Sequence, residues 1–151
     1  MKYNEEIFKK ELYKLYKNDL KLISHFKSIA KPIILQDQFG LIQVSQARQA
    51  LQGNPGILGA LNKTQYFMNL LKFKYPDIAQ SLEPQSEYKK MKDKMLFKTK
   101  FGIVAITPDA LLHGHIPSIR SAVNRKEYFK NQLMYLYDNK YDFEITSTDR
   151  H

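Results

Sequence analysis

The sequence predicts an α+β chain: an amphipathic N-terminal helix, then two tandem repeats, each a β-hairpin plus three helices in a helix-turn-helix-like order. Three observations predict it. Sliding the chain against itself by 62 positions aligns Ile33 to Tyr75 with Met95 to Tyr137 without a gap, and eleven of the 43 pairs are identical. A self-offset of this kind is the signature of a repeated architecture. Within each copy, two β-rich runs flank a polar turn that closes on a glycine. Ahead of the hairpins and behind them, apolar residues recur at helical spacing.

The elements follow in order. From Asn4 to about Ile29, Phe8, Leu12, Leu15, Leu22, Phe26 and Ile29 fall at near-helical spacing with lysines between them, which predicts one amphipathic helix, or two broken at Asn18-Asp19. Each repeat then opens with an apolar run, Ile33-Ile34-Leu35 or Met95-Leu96-Phe97. A turn ends in Gly40 or Gly102, and a second run covers Leu41 to Val44 or Ile103 to Ile106. This is a hairpin pattern in which glycine permits a positive φ. Ser45 or Thr107 is placed as a helix N-cap, with Pro108 at the first helical position of the second copy. Pro55 or Pro117 starts another short helix, Ile57 to Asn62 or Ile119 to Asn124. A longer helix closes each unit, from about Thr64 to Tyr75 and from about Lys126 to Asp138. The resulting organisation is an N-terminal helical segment (1–31), repeat unit 1 (32–76), a linker containing Pro84 (77–93), repeat unit 2 (94–138), and 139–151 as a tail or the start of a following module. The tail begins with a strand-like alternation at Tyr141-Asp142-Phe143-Glu144-Ile145.

Composition bounds the function. Twenty-four Lys and Arg against 15 Asp and Glu give the 151 residues a net charge of +9. A basic balance points to polyanionic partners rather than to a fold. With 43% hydrophobic and 13% aromatic residues the chain is not of disordered composition. No apolar run approaches the ~18 residues of a membrane span, and Lys2-Tyr3-Asn4-Glu5-Glu6 does not open a secretory signal, so a cytoplasmic protein without a membrane partner is expected. The absence of cysteine removes disulfides, thiol nucleophiles and cysteine-rich zinc sites.

The sharpest functional feature runs from Thr107 to Asn124. A capped short helix, a Gly-His-Ile-Pro turn and a second short helix have the proportions of a helix-turn-helix, whose second helix enters the major groove. Ser118, Arg120, Ser121 and Asn124 would face away from Ile119, Ala122 and Val123. Arginine suits guanine edges and asparagine suits adenine. Arg125, Lys126 and Lys130 continue the basic surface, and Lys98 and Lys100 flank the hairpin turn where the first copy has the neutral Gln36 and Gln38. Residues 94–137 carry seven Lys or Arg against two acids, a net +5, and the first copy carries less. It has Gly56, Leu58 and Gly59 in place of Ser118, Arg120 and Ser121, so its candidate contacts reduce to Asn62 and Lys63. A small helical repeat with solvated polar faces accounts for the same residues without a ligand.

Other chemistries find less support. His113-Gly114-His115 has the residue type of a metal site, but only Asp109 and Glu127 lie near it in sequence, and the first copy has Leu51 and Gly53 at the two positions. No metal, cofactor or catalytic residue is expected. Neither a glycine-rich phosphate loop nor a serine elbow occurs. Lys9, Lys10, Lys14, Lys17 and Lys21 of the first helix alternate with Glu5, Glu6, Glu11 and Asp19, which favours a solvated face over a membrane-binding one.

The string Phe101-Gly102 through Leu111-Leu112-His113-Gly114-His115-Ile116-Pro117-Ser118-Ile119-Arg120-Ser121-Ala122-Val123-Asn124-Arg125-Lys126-Glu127-Tyr128-Phe129 resembles repeated modules N-terminal to the nuclease in phage-encoded homing endonucleases with a very-short-patch-repair-like nuclease domain. Lys140-Tyr141-Asp142-Phe143 resembles the segment that opens a Cys-containing module in those proteins. The likeness covers about residues 94–144, and 33–75 through the internal repeat. It implies a DNA-targeting region without nuclease carboxylates: a non-catalytic, sequence-directed double-stranded DNA-binding region, with a C-terminal nuclease module or a protein as further partner. The alternative is a phage accessory protein whose repeats bind another protein.

Overall fold

The computed structural model describes residues 4–141. The chain divides into two compact units, Met1–Phe73 and Lys74–His151, and both mix helices with a three-stranded antiparallel sheet.

In the first unit, α1 (Glu5–Tyr16) is capped by Asn4, whose Oδ1 accepts the Ile7 N–H at 2.8 Å. Glu5 and Glu6 in its first turn and Lys14 in its last suit the helix dipole. Phe8 and Leu12 are its buried face. The expected continuation to Ile29 does not form. Lys17 turns to φ 55°, its N–H returning to the Tyr13 carbonyl, and β1 (Lys21–Leu22) follows. The Ile23 and Ser24 N–H groups both reach the Ile34 carbonyl, at 2.9 and 3.2 Å. Pairing with the hairpin edge satisfies backbone groups there and buries Leu20.

The hairpin is β2 (Ile33–Asp37) and β3 (Gly40–Val44), in register from Ile33 opposite Val44 to Asp37 opposite Gly40, so that Gln38-Phe39 make a two-residue turn. Gly40 sits at φ 155°, and a Cβ there would lie 3.3 Å from the Tyr66 ring, so glycine serves both backbone and packing. Next come α2 (Arg48–Gln52), a one-turn 3-10 helix (Gly56–Gly59) and α3 (Lys63–Lys74). Ser45 does not cap α2, which starts at Arg48 after Ala47; its hydroxyl bonds Gln49 instead. Phe8, Leu12, Leu20, Ile33, Leu35, Ile42, Val44 and Tyr66 share one core, which joins the segment before residue 32 to the first repeat.

The second unit contains α4 (Pro76–Gln80), β4 (Glu83–Pro84), β5 (Met95–Thr99), β6 (Gly102–Ile106), α5 (Pro108–Leu112), a 3-10 turn (Ile119–Ser121) and α6 (Arg125–Tyr141). Residues 77–93, expected as a linker with helical ends, hold most of α4 at one end and also an edge strand. Thr107 caps α5 through the Ala110 N–H at 3.2 Å, with Pro108 at the first position. The strand-like alternation expected at 141–145 lies, beyond Tyr141, outside the described residues.

The sheets and the contacts that close each unit are reproduced at the same offset. All three strands of one sheet shift by 62 onto those of the other. Asn69 Nδ2 donates to the Phe39 carbonyl and Asn131 Nδ2 to the Phe101 carbonyl, both at 2.8 Å. Phe39 meets Tyr66 and Phe73 edge-on at 5.7 and 5.5 Å; Phe101 meets Tyr128 and Tyr135 edge-on at 5.5 Å each. Ser24 and Ser86 Oγ accept the Ile34 and Leu96 N–H groups at 2.9 Å. The structural unit therefore begins near Leu20 and Leu82, earlier than residues 33 and 95.

Candidate nucleic-acid interface

Arg120 stands exposed on the 3-10 turn Ile119–Ser121. This segment, expected as the reading helix of a helix-turn-helix, is one turn long for a reason visible in its backbone. Ala122 is already extended (φ −66°, ψ 136°), forming a β-bridge with Val104. Val123 N–H then donates to the Ile103 carbonyl at 2.9 Å. Edge pairing on β6 takes the groups that a longer helix would need. The first copy does the same with Ala60 on Ile42 and Leu61 on Leu41. Arg120 consequently projects from a tight turn stitched to a sheet.

The neighbouring polar residues have local duties. Ser118 Oγ accepts the Arg120 N–H at 3.3 Å and caps the turn. Ser121 is half-buried. Asn124 Oδ1 accepts the Glu127 N–H at 3.0 Å, making it the cap of α6, and Asn62 caps α3 through Gln65 in the same way. An asparagine so committed keeps its amide donors and one lone pair on Oδ1, but the cap fixes its side chain against the helix end, where a bidentate adenine contact needs it turned to the base edge. Arg125 Nη2 donates to the Arg120 carbonyl at 3.1 Å, bracing the turn from below.

Further exposed cations stand on α6 and on the hairpin of the same unit. Lys126 and Lys130 lie one helical turn apart near the start of α6, and both are exposed. Lys98 is exposed on β5 with Glu83 as its cross-strand neighbour, whereas the first copy pairs Lys21 with Gln36. Lys100, in the hairpin turn, holds Nζ 4.1 Å from the Tyr135 ring centroid and 5.1 Å from that of Phe101. Such cation-π seating orients an ammonium without neutralising it. Lys63 is half-buried at the start of α3.

The histidine pair is built into a different arrangement. His113 Nδ1 lies 2.7 Å from the Asp109 carbonyl, and Lys92 Nζ bonds Asp109 Oδ2 at 2.7 Å. The Lys92 bond holds the Asp109 carboxyl below its usual range. Among the described residues no group of three or more His, Asp or Glu side chains is placed to hold a metal ion. On α1, Lys9, Lys10 and Lys14 form ion pairs with Glu5, Glu6 and Glu11, so much of that basic face is balanced locally.

A feature not anticipated from the sequence lies beside the hairpins. In the first unit the Tyr66 hydroxyl donates to the buried carboxylate of Asp37, whose other oxygen accepts the Phe39 and Gly40 N–H groups at 2.8 and 3.1 Å. Burial, and then the adjacent carboxylate, push the Tyr66 phenol well above the ordinary tyrosine value. In the second unit Thr99 replaces Asp37. Its Oγ1 accepts the Phe101 N–H at 3.2 Å and donates to the Gly102 carbonyl at 2.8 Å. The signal is present in the aligned repeats as the pair Asp37/Thr99, but a charged-to-neutral exchange in a turn says nothing of a tyrosine 29 residues away. No helix among the described residues is long and apolar enough to cross a membrane.

No protein-family model, curated protein or solved structure matches the chain.

Proposed function

We propose that the chain is the non-catalytic, sequence-directed double-stranded DNA-binding region of a phage or mobile-element endonuclease, working in the cytoplasm of a bacterial host beside a C-terminal nuclease module. The observation that carries this reading is the second unit's exposed cationic surface: Arg120 on a braced turn, Arg125, Lys126 and Lys130 on the helix that follows, and Lys98 and Lys100 on the hairpin. In this reading the lysines position the backbone and Arg120 reads a base edge. The resemblance of residues 94–144 to the targeting modules of homing endonucleases supports the same assignment.

A second reading, an accessory protein that binds another protein, draws on exposed Phe129, Met134 and Leu136 of α6. Salt separates the two. Affinity for DNA falls linearly in log salt with a slope of roughly −0.9 per phosphate neutralised. Duplex binding by fluorescence anisotropy at several salt concentrations should show such a slope, with no strand cleavage in Mg²⁺ or Mn²⁺. Absence of duplex binding at low salt overturns the DNA reading.

A further inference from the structure

A cavity of about 400 Å³ opens in the second unit between the end of α4, the β5–β6 turn and the Ile116-Pro117 turn. Its walls are Gln80, Ser81, Leu82, Thr99, Lys100, Phe101, Ile116, Pro117 and Tyr128. That volume lies in the range of small-molecule sites. Its lining holds one cation and no acid. The 62-residue offset puts Asp19 at the position of Ser81, Asp37 at Thr99 and Gln38 at Lys100. The same place in the first unit therefore carries two acids and no cation.

Tyr128 supplies the second observation. It is 4% exposed, and its ring sits edge-on to Phe101 as Tyr66 does to Phe39. Tyr66 spends its hydroxyl on Asp37, but the Tyr128 hydroxyl has no hydrogen-bond partner among the described residues. Thr99 reproduces the inner carboxylate oxygen of Asp37, the one that holds the turn, and its proton is already given to Gly102. Nothing reproduces the outer oxygen. No fully buried side-chain polar atom among the described residues lacks a partner, so the unpaired Tyr128 hydroxyl is open to the cavity that its residue lines.

We propose that this cavity binds a small organic oxyanion, a carboxylate or a phosphate monoester on an apolar body, whose oxygen takes the place of the outer Asp37 oxygen. The Tyr128 hydroxyl donates to the oxyanion, the Lys100 ammonium neutralises it, and Leu82, Phe101, Ile116 and Pro117 cover the apolar body. The first unit holds its own carboxylate where the second receives one. The inference shares Lys100 with the DNA reading but rests on Tyr128 and the cavity, which that reading does not use, so the small probes test it independently of duplex binding.

The test is an NMR titration of the full chain, ¹³C-labelled on tyrosine rings and ¹⁵N-labelled on amides, with benzoate, with phenyl phosphate and with a 5′-phosphorylated oligonucleotide. Saturable shifts at Tyr128, Thr99 and Lys100 with either small probe are expected. The oligonucleotide arm distinguishes a free ligand from a strand end. Thr99→Asp supplies an internal carboxylate and should abolish the titration; Tyr128→Phe should weaken it at least ~10-fold, the worth of a hydrogen bond to a charged group. Should either variant misfold, as its amide spectrum would report, Lys100→Ala in the exposed turn carries the same comparison. No saturable shift with either small probe, or unchanged affinity in the folded variants, overturns the proposal.

Discussion

The two repeats keep their skeleton and exchange their chemistry. The contacts that close each unit coincide to within tenths of an ångström: the Asn69 and Asn131 clamps on a hairpin carbonyl, the aromatic edges on Phe39 and Phe101, the bridges at Ala60 and Ala122. Core positions exchange one apolar side chain for another, Ile33 for Met95 and Leu35 for Phe97, while several changes of charge face outward or into a cavity. Leu58 becomes Arg120, Gln36 and Gln38 become Lys98 and Lys100, and Asp37 becomes Thr99. The closing contacts constrain geometry and so resist change, whereas the rest are free to acquire ligands.

The sharpest contrast concerns one residue type. Phe67 is fully buried and its counterpart Phe129 is 51% exposed. Phe67→Ala should cost about 3–5 kcal/mol in urea denaturation, and Phe129→Ala less than ~0.5 kcal/mol. Equal costs would break the comparison. Next, Asp37→Thr imposes the second unit's turn on the first and leaves Tyr66 without its acceptor; a loss of about 1.5–3 kcal/mol is expected, the value of a charge-assisted bond. The raised Tyr66 phenol also gives the first unit a pH signature. The unfolded chain ionises near pH 10 while folded Tyr66 keeps its proton, so its contribution is complete below ~pH 10 and is lost as pH rises above it. Melting temperatures between about pH 8 and 11 should fall less steeply in Tyr66→Phe.

Binding gives the third contrast. On a selected DNA site, Arg120→Ala should cost about 1–3 kcal/mol and flatten sequence preference. Lys98→Ala with Lys100→Ala should weaken all sequences and reduce the salt slope by roughly one for each phosphate no longer neutralised. Gln36→Ala with Gln38→Ala should change neither. An Arg120→Ala protein with wild-type affinity and preference moves the weight to a protein partner. The smallest effect expected is a difference near zero: Asn69→Ala and Asn131→Ala should each cost about 0.5–1.5 kcal/mol, and alike. Unequal losses would show that the units are less equivalent than their geometry.

The hairpins, their turns at residues 37–40 and 99–102, and the closing helices are legible in the sequence because each rests on a local pattern seen twice. The edge strands at Lys21–Leu22 and Glu83–Pro84 are not. A two-residue strand has no period, and its existence depends on a partner more than ten residues away. The spacing of Leu15, Leu22 and Phe26 mimics a helix for the same reason. The second short helix reads longer than it is because Ile119, Ala122 and Val123 fit a helical stripe. Val104 recruits Ala122 into the sheet instead, and that is a tertiary decision. Arg120 is legible as an exposed residue, though it stands on a turn rather than a helix. Tyr128 reads as core packing in the sequence, because its missing acceptor shows only when the aligned turn is seen beside it.

The bridges also define an interval. Between the last ladder residue, Val44 or Ile106, and the bridging alanine, Ala60 or Ala122, the two copies insert stretches of equal length, 45–59 and 107–121. Their contents are not in step. The first copy's helix starts at Arg48, the second's at Pro108, two places earlier than the offset would put it. A span pinned at both ends keeps its length while each unit fits the contents to its own sheet. Residues 107–121 placed in the first unit would set a Ser121 side chain where Gly59 stands, 2.8 Å from Ile42 Cγ2, and Asp109 where Ala47 is fully buried, so exchanging the span calls for matching changes beneath it, beginning at Ile42, whose counterpart is the smaller Val104.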